Sequence, residues 1–272
     1  MRSRGPHHAG GDPARGLLGG VRRTTRAAPA ARGHDLAVGG PPLPGLGCQT
    51  LADVTELLGD CHRCSLACTR TRIVFGVGDA HARVMLIGEA PGRNEDLRGE
   101  PFVGAAGKLL DELLAHSGLE RADVYIANVL KCRPPRNRNP EPLEIETCTP
   151  FLREQIRVIS PRVLVTLGNF ATRFVLHTDA PISGLRGTIR QAGRYRVLPI
   201  YHPAAAIYDR TKRDVLFADF GLLKTVLAES PDSPLPAPTE EPAPAPDAAR
   251  PADVIPDPGP SACDGPGQEA LF

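Results

Sequence analysis

The sequence has no uninterrupted apolar stretch of about 18 residues, the length that marks a membrane-spanning helix. Its arginine-rich beginning contains no apolar segment typical of a secretory signal. No internal repeat is present. We therefore expect a cytoplasmic protein without membrane contact. In such a reducing compartment, spaced cysteines more often bind metal than form disulfides.

Charge is distributed unevenly, although the formal net charge is only +1. Residues 1–46 carry +5, residues 229–272 carry −8 with twelve prolines, and residues 47–228 carry +4. Neither end can bury enough apolar surface to offset the entropy of ordering it, so we predict two disordered tails around one domain. The mildly basic domain is compatible with a DNA partner. The basic tail either touches phosphates or is an extension without function.

Four apolar runs in the domain predict buried strands, at residues 83–88, 124–131, 162–168 and 196–201. Helical patterns lie between and after them: an apolar face from Leu109 to Leu114, then residues 140–159, 170–177 and 213–227. This alternation predicts a three-layer α/β/α sandwich with a central, mostly parallel four-stranded sheet. Such sheets bind ligands in loops beyond the carboxyl ends of their strands. The loops at residues 88–92 and 202–205 lie there, and Asn128 lies near the end of the second strand.

Four of the seven cysteines form two pairs. Two residues separate Cys61 from Cys64, and fifteen separate Cys132 from Cys148. Four thiolates suit a structural zinc ion or an iron–sulfur cluster. The wide second spacing favours a [4Fe–4S] cluster, because zinc knuckles normally use two tight pairs. Unliganded buried thiols are the remaining alternative, and Cys68 is a spare candidate ligand.

Five sequence blocks together resemble the family 4 uracil-DNA glycosylases. They are GEAPGRNED at residues 88–96, PFVGAAG at 101–107, NVLKCRPP at 128–135, HPAA at 202–205, and the four paired cysteines. The resemblance covers residues 58–227. It implies a monomeric, nucleoid-associated enzyme of base excision repair that flips uracil out of DNA and hydrolyses its N-glycosidic bond. It also implies a [4Fe–4S] cluster bound by Cys61, Cys64, Cys132 and Cys148.

The resemblance further implies roles for residues of a uracil pocket. Gly88 and Ala90 would belong to the loop that binds uracil, and Phe102 would stack on the extruded base. The amide of Asn128 carries a donor and an acceptor that match O4 and N3–H of uracil. His202 would stabilise the negative charge that develops on O2 when the bond breaks.

The sequence leaves the group that positions the attacking water open. Related glycosylases of another family carry an Asp where this chain has Ala90. The role therefore falls to Glu89, Glu95 or Asp96, or to water held by backbone groups, and we favour Glu89 and Glu95. The alternative, a solvated acid of the same loop, stays open for Asp96.

Three residues are candidates for DNA contacts outside the pocket. Ile207 is a candidate apolar wedge in the minor groove, and Arg210 and Arg186 are candidate phosphate contacts. The chain has no inserted basic loop between Asn128 and Cys132 of the kind that traps a related group covalently on DNA, so we expect ordinary turnover.

Other functions stay open at this stage. A non-catalytic iron–sulfur module that binds nucleic acid would not need Asn128, Phe102 and His202 together. A glycosylase for another deaminated base, such as hypoxanthine, would need a similar pocket, and an inactive polymerase-associated factor would keep only the fold. The final residues QEALF resemble peptides that bind the bacterial sliding clamp, and a chance match is equally good. The clamp contacts would be Gln268, Leu271 and Phe272.

Overall fold

The computed structural model describes residues 47–207 and 209–229. The predicted N-terminal tail, nearly all of the C-terminal tail and the clamp-binding residues Gln268, Leu271 and Phe272 lie outside these ranges. Within them, no helix combines the length and apolar character needed to cross a membrane.

A six-stranded sheet forms the centre of the described domain. Its strands are β1 (Val77–Gly78), β2 (Val84–Gly88), β3 (Val124–Asn128), β4 (Val163–Leu167), β5 (Arg190–Ala192) and β6 (Tyr195–Ile200). Their order is β1-β3-β2-β4-β6-β5, in which β3, β2, β4 and β6 are parallel. The predicted parallel centre is confirmed. The sheet has two more strands than predicted, because the antiparallel edge strands β1 and β5 are too short to form an apolar run.

Helices cover both faces of the sheet. They are α1 (Leu51–Leu58), α2 (Arg93–Arg98), α3 (Ala105–His116), α4 (Pro142–Ile159), α5 (Asn169–Leu176), α6 (Ile182–Leu185) and α7 (Arg210–Ala228). Apolar residues of α3 and α7 pack on one face, and those of α4 and α5 pack on the other. The predicted α/β/α sandwich is therefore confirmed. The short helices α1, α2 and α6 were not predicted.

The surroundings of strand β2 show why the central strands are continuous apolar runs in the sequence. Val84 and Leu86 face the layer of α3 and α7, whereas Met85 and Ile87 face the layer of α4 and α5. All four are buried, with relative exposure of at most 1%. Because both faces of the sheet are covered, its strands have no polar face.

The parallel strands end at one edge of the sheet, and the loops that carry the candidate site residues begin there. The register places Gly88, the last residue of β2, opposite Asn128, the last residue of β3. Backbone pairing continues past the strand ends, since the N–H of Val129 donates to Gly88 O (2.9 Å) and that of Leu130 donates to Glu89 O (3.0 Å). The loops after β2 and β3 are therefore held side by side.

Candidate functional site

A cleft of about 340 Å³ opens at the carboxyl edge of the sheet. It brings together six of the residues predicted from the sequence: Glu89, Ala90, Glu95, Phe102, Asn128 and His202. Gly88 lies against two of them, Asn128 and Phe102. The cleft lies where ligands bind to parallel sheets, beyond the ends of the strands.

The amide oxygen of Asn128 is a buried and unsatisfied polar atom of the cleft. Asn128 is 2% exposed, and its Oδ1 atom is buried without a hydrogen-bond partner in the described residues. A Cβ atom on Gly88 would lie 2.3 Å from this oxygen and 2.9 Å from the Phe102 ring, so only glycine fits there. An unsatisfied buried acceptor costs about 1–3 kcal/mol, and a ligand that donates an N–H removes that cost.

Phe102 provides a fixed apolar wall. Its backbone adopts a left-handed conformation (φ 54°), which is uncommon for an aromatic residue and is found where the surroundings enforce it. The Arg121 guanidinium donates to Phe102 O, and a Cβ atom on Gly107 would lie 1.7 Å from the same oxygen. The Phe102 ring stacks near His202 with a centroid distance of 5.6 Å. The ring is thus held in place from two sides.

His202 lines the cleft as a neutral imidazole. It follows β6, and its Nδ1 accepts a hydrogen bond from the N–H of Ala204 (3.1 Å). In the neutral imidazole the proton therefore lies on Nε2. Burial lowers the pKa of His202 to about 4, although the Glu95 carboxylate acts in the opposite direction. Gly168 makes room for this side chain, since a Cβ atom there would approach His202 Cβ to 3.1 Å.

The two predicted acids differ in their surroundings. Glu95 accepts hydrogen bonds through Oε1 from the N–H groups of Val103 (3.0 Å) and Gly104 (2.9 Å), so it fixes the loop that carries Phe102. Glu89 lines the cleft, its carboxylate has no hydrogen-bond partner among the described residues, and burial raises its pKa. Glu89 is thus the carboxylate that is available to a ligand or a water molecule.

The structure excludes the solvated alternative for Asp96. This residue is 3% exposed, and its Oδ1 accepts hydrogen bonds from the N–H groups of Thr71 (2.8 Å) and Arg72 (3.4 Å). Asp96 therefore connects α2 to the segment that follows the first cysteine pair. Its role is to hold the backbone in place, and it is not a solvated loop acid.

The candidate DNA contacts lie outside the cleft lining. Ile207 is 37% exposed, and Arg210 is the exposed first residue of α7. Arg186 donates through Nε to Asp219 (2.9 Å), and its guanidinium lies 5.4 Å from the Tyr201 ring centroid. This ion pair with a buried carboxylate gives Arg186 a role in the fold. The DNA contacts of all three residues stay predictions.

Two residues that the sequence did not single out also line the cleft, Asn137 and Arg138. Arg136 and Asn137 both have left-handed backbones (φ 55° and 56°). Arg138 forms two hydrogen bonds with the buried Glu144 carboxylate, at 2.6 and 2.9 Å. The loop after Cys132 is therefore held tightly. In the sequence, the only indication that Asn137 and Arg138 belong to the site was their position just after the NVLKCRPP block.

The four predicted cysteine ligands converge behind the cleft. Cys61 and Cys64 follow α1, Cys132 follows β3, and Cys148 lies in α4. All four line one small cavity, and none forms a disulfide. The N–H of Lys131 donates to Cys148 Sγ (3.2 Å), and the Arg70 guanidinium donates to Cys132 Sγ (3.6 Å). Burial raises the pKa of Cys132 and Cys148 to about 12, so metal binding there must displace protons.

A zinc ion and an iron–sulfur cluster require different distances between four sulfurs. Four sulfurs around one zinc ion lie about 3.8 Å apart, given Zn–S bonds of about 2.3 Å. In residues 47–207 and 209–229, no group of three or more Cys, His, Asp or Glu side chains is close enough to share one ion. In a [4Fe–4S] cluster each cysteine binds a different iron, so the sulfurs lie farther apart. The four thiols and their shared cavity are compatible with a four-cysteine site, and the [4Fe–4S] cluster stays a prediction.

Comparison with known proteins agrees with the fold. The model of the Uracil DNA glycosylase superfamily matches residues 75–221. The chain is 47% identical to the Type-4 uracil-DNA glycosylase of Archaeoglobus fulgidus over 180 residues, which are 63% of this chain and 90% of that protein. It is 42% identical to the Type-4 uracil-DNA glycosylase of Thermotoga maritima over 178 residues, which are 64% of this chain and 93% of that protein. The chain therefore belongs to the uracil-DNA glycosylase superfamily and, within it, to the Type-4 family.

We expect the His202 imidazole to stay neutral from pH 8 down to about pH 5, because burial lowers its pKa to about 4. As the pH falls from 6.5 toward 4, the unfolded chain binds a proton that the folded chain does not. The contribution of His202 to stability is thus present above pH 6.5 and is lost progressively below it. An NMR titration of labelled histidine, assigned with His202→Asn, measures this pKa. A folded-state value near 6.5 would contradict the geometry described here.

Proposed function

We propose that this protein is a DNA-repair glycosylase, which binds uracil flipped out of DNA and hydrolyses its N-glycosidic bond to leave an abasic site. The observation that carries the proposal is the buried Oδ1 of Asn128, which has no partner in the described residues and lies beside Phe102 and His202 in the cleft. The names of the Type-4 relatives support the same activity.

Recognition of uracil follows from the chemistry of the Asn128 amide. Its oxygen accepts a hydrogen bond from N3–H of uracil, and its nitrogen donates to O4. Cytosine presents the opposite pattern at these two positions. The Phe102 ring supplies the apolar surface on which an extruded base stacks, and this stacking offsets part of the cost of leaving the duplex, about a few kcal/mol. The backbone around Gly92 and the Glu95 side chain close the cleft, and we propose that they exclude the 5-methyl group of thymine.

Cleavage transfers the electron pair of the C1′–N1 bond to the uracil ring. The resulting anion carries charge at O2, where the Nε2–H group of neutral His202 donates a hydrogen bond. A water oxygen forms the new bond to C1′, and its proton passes to a carboxylate. The uracil anion takes a proton from solvent on release. Because His202 is already a donor in its neutral state, it needs no protonation to act.

We assign the water-positioning role to Glu89. Its carboxylate is not engaged by any described residue, and its raised pKa makes it a better base than an ordinary glutamate. Glu95 acts through structure, because its Oε1 holds the backbone next to Phe102. This assignment separates two acids that the sequence left equivalent.

The cysteine site fits a [4Fe–4S] cluster, with Cys61, Cys64, Cys132 and Cys148 as its ligands. When bound, such a cluster cross-links the segment after α1, the loop after β3 and helix α4, and hydrolysis draws no electrons from it. The chain's own contribution is to place Cys132 only four residues after Asn128. Loading of the cysteine site and the shape of the pocket are thereby connected.

Contacts with longer DNA and with partners extend this proposal. Ile207 would insert beside the flipped base, and Arg210 would contact a phosphate. Arg186 would contact a phosphate through Nη1, since its Nε and Nη2 atoms donate to Asp219. Binding to a sliding clamp through Gln268, Leu271 and Phe272 rests on the sequence alone, as do nucleoid association and the monomeric state.

We predict that the protein forms abasic sites in an oligonucleotide with one uracil and leaves thymine intact. His202→Ala should lower the single-turnover rate by about 10²–10³-fold, because it removes the donor to the anion. Asn128→Ala should lower it by about 10–100-fold, because it removes both hydrogen bonds to the base. His81→Ala and Asn139→Ala, which alter exposed residues outside the cleft lining, should keep the wild-type rate.

Failure of the wild-type protein to cut uracil DNA while its cluster is intact would overturn the proposal and favour the non-catalytic module. Faster cleavage at hypoxanthine than at uracil would instead support the alternative glycosylase. Equal loss in the variants and their controls would show that the cleft has been placed wrongly.

A second prediction separates the two acids. Glu89→Gln should lower the rate by about 10²–10⁴-fold with little change in DNA affinity, because an amide cannot take the proton from water. Glu95→Gln should keep most activity, since its amide oxygen still accepts the two N–H groups, whereas Glu95→Ala should lose both activity and stability. The wild-type rate should fall as pH drops through the raised pKa of Glu89, and Glu89→Gln should lack that fall. Loss of activity in Glu95→Gln together with retained activity in Glu89→Gln would assign the water-positioning role to Glu95.

A further inference from the structure

Lys131 is a lysine buried in the interior with no role in the chemistry described above. Its relative exposure is 0%, which is rare for a lysine. It lies on the short segment between Asn128 of the proposed uracil pocket and Cys132 of the cysteine site. A buried ammonium group costs several kcal/mol unless its surroundings compensate it, so its presence needs a physical reason.

The Lys131 ammonium bridges the end of β3 and helix α4. Its Nζ donates to the backbone oxygen of Asn128 (2.8 Å) and to Oε1 of Gln155 (2.6 Å). The Gln155 amide is oriented from its other side, because its Nε2 donates to Phe75 O (2.9 Å) and to the Tyr125 hydroxyl (3.3 Å). The oxygen of Gln155 therefore has to face Lys131, and the lysine has to reach Asn128.

The backbone of Lys131 is fixed on both sides. Its N–H donates to Cys148 Sγ (3.2 Å), and its carbonyl accepts from the N–H of Val74 (2.8 Å). The side chain thus extends from a fixed backbone position toward the carbonyl of Asn128. The Lys131 side chain therefore holds the carbonyl of Asn128, while the Lys131 backbone contacts Cys148 of the cysteine site.

Arg70 is another cation near the cysteines, and its hydrogen-bond partners differ from those of Lys131. Its guanidinium also contacts Cys132 Sγ, but it has a carboxylate partner in Asp60. Lys131 forms no ion pair with a carboxylate in residues 47–207 and 209–229, and both of its described acceptors are neutral oxygens. An ordinary structural ion pair therefore explains Arg70 and does not explain Lys131.

We propose that Lys131 is a positioning residue, which holds the carbonyl of Asn128 so that the Asn128 amide faces the base, and which transmits the geometry of the cysteine site to uracil recognition. The inference rests on the proposed function, since it concerns the same pocket. Lys131 touches neither the cleft nor the reacting atoms. It acts only through Asn128 and the peptide segment between them.

A double-mutant cycle tests whether Lys131 acts through Asn128. Lys131→Met should lower the single-turnover rate on uracil DNA by about 10–100-fold, because small displacements of a recognition group are costly. DNA affinity and the cluster absorbance per chain should remain at wild-type values. In the Asn128→Ala background, Lys131→Met should cause less than about a threefold further loss, since the group that it positions is already absent. Equal losses in both backgrounds would overturn the proposal.

Two further variants keep the test decisive. Gln155→Leu leaves Lys131 and the cysteine segment intact and removes one acceptor of the ammonium, so it should show a smaller loss with the same dependence on Asn128. It decides the question if Lys131→Met fails to fold. Lys224→Met makes the same chemical change at an exposed position in α7, four residues from the end of that helix, and should behave as wild type.

A readout independent of activity separates this inference from the proposed function. Hydrogen exchange at the amide of Val129, which donates to Gly88 O, should become faster in Lys131→Met and remain unchanged in Lys224→Met. Unchanged exchange would count against the positioning role even if uracil is cleaved. If Lys131→Met exchanges faster but the wild-type protein does not cleave uracil, the positioning of Asn128 by Lys131 would be supported and the proposed function would be rejected.

Discussion

The parallel pairing of β2 with β3 is the interaction on which the site depends. It places Gly88 opposite Asn128 and continues through the backbone hydrogen bonds of Val129 and Leu130. Glu89, the Asn128 amide and the segment leading to Cys132 are therefore held in one rigid frame. A shift of this register by one residue would turn Asn128 to the other face of the sheet and separate it from Phe102 and His202. Close packing of individual side chains against the helical layers on both faces opposes that shift.

Within this frame, the cleft combines groups that are each unfavourable for the fold. Asn128 has an unsatisfied amide oxygen, Phe102 has a left-handed backbone, Glu89 is a partly buried carboxyl group, and His202 is neutral because of burial. Gly88 and Gly168 leave space for neighbouring side chains, and Gly107 leaves space for the Phe102 backbone. Such groups are preorganised for a ligand that supplies an N–H donor and develops negative charge. The sheet and its two helical layers supply the stability that offsets these local costs.

The elements that the sequence predicted well are those with strong local patterns. The four central strands and helices α3, α4, α5 and α7 are long and apolar on defined faces, and they lie within a few residues of their predicted positions. Strands β1 and β5 contain two and three residues, too few for a period to be visible. The cleft residues were found through the sequence blocks. The burial of Asp96 and the pairing of Arg186 with Asp219 were not found, because both depend on partners that only the tertiary fold brings close.

The central claim is that Asn128, Phe102 and His202 form one pocket that reads uracil. A crystal structure of the protein with free uracil tests this claim most directly. The account predicts a pyrimidine ring stacked on Phe102, with N3–H donating to Asn128 Oδ1, O4 accepting from the Asn128 amide nitrogen, and O2 within hydrogen-bond distance of His202 Nε2. A uracil bound elsewhere, or bound in the cleft with Asn128 Oδ1 still unpaired, would contradict the account.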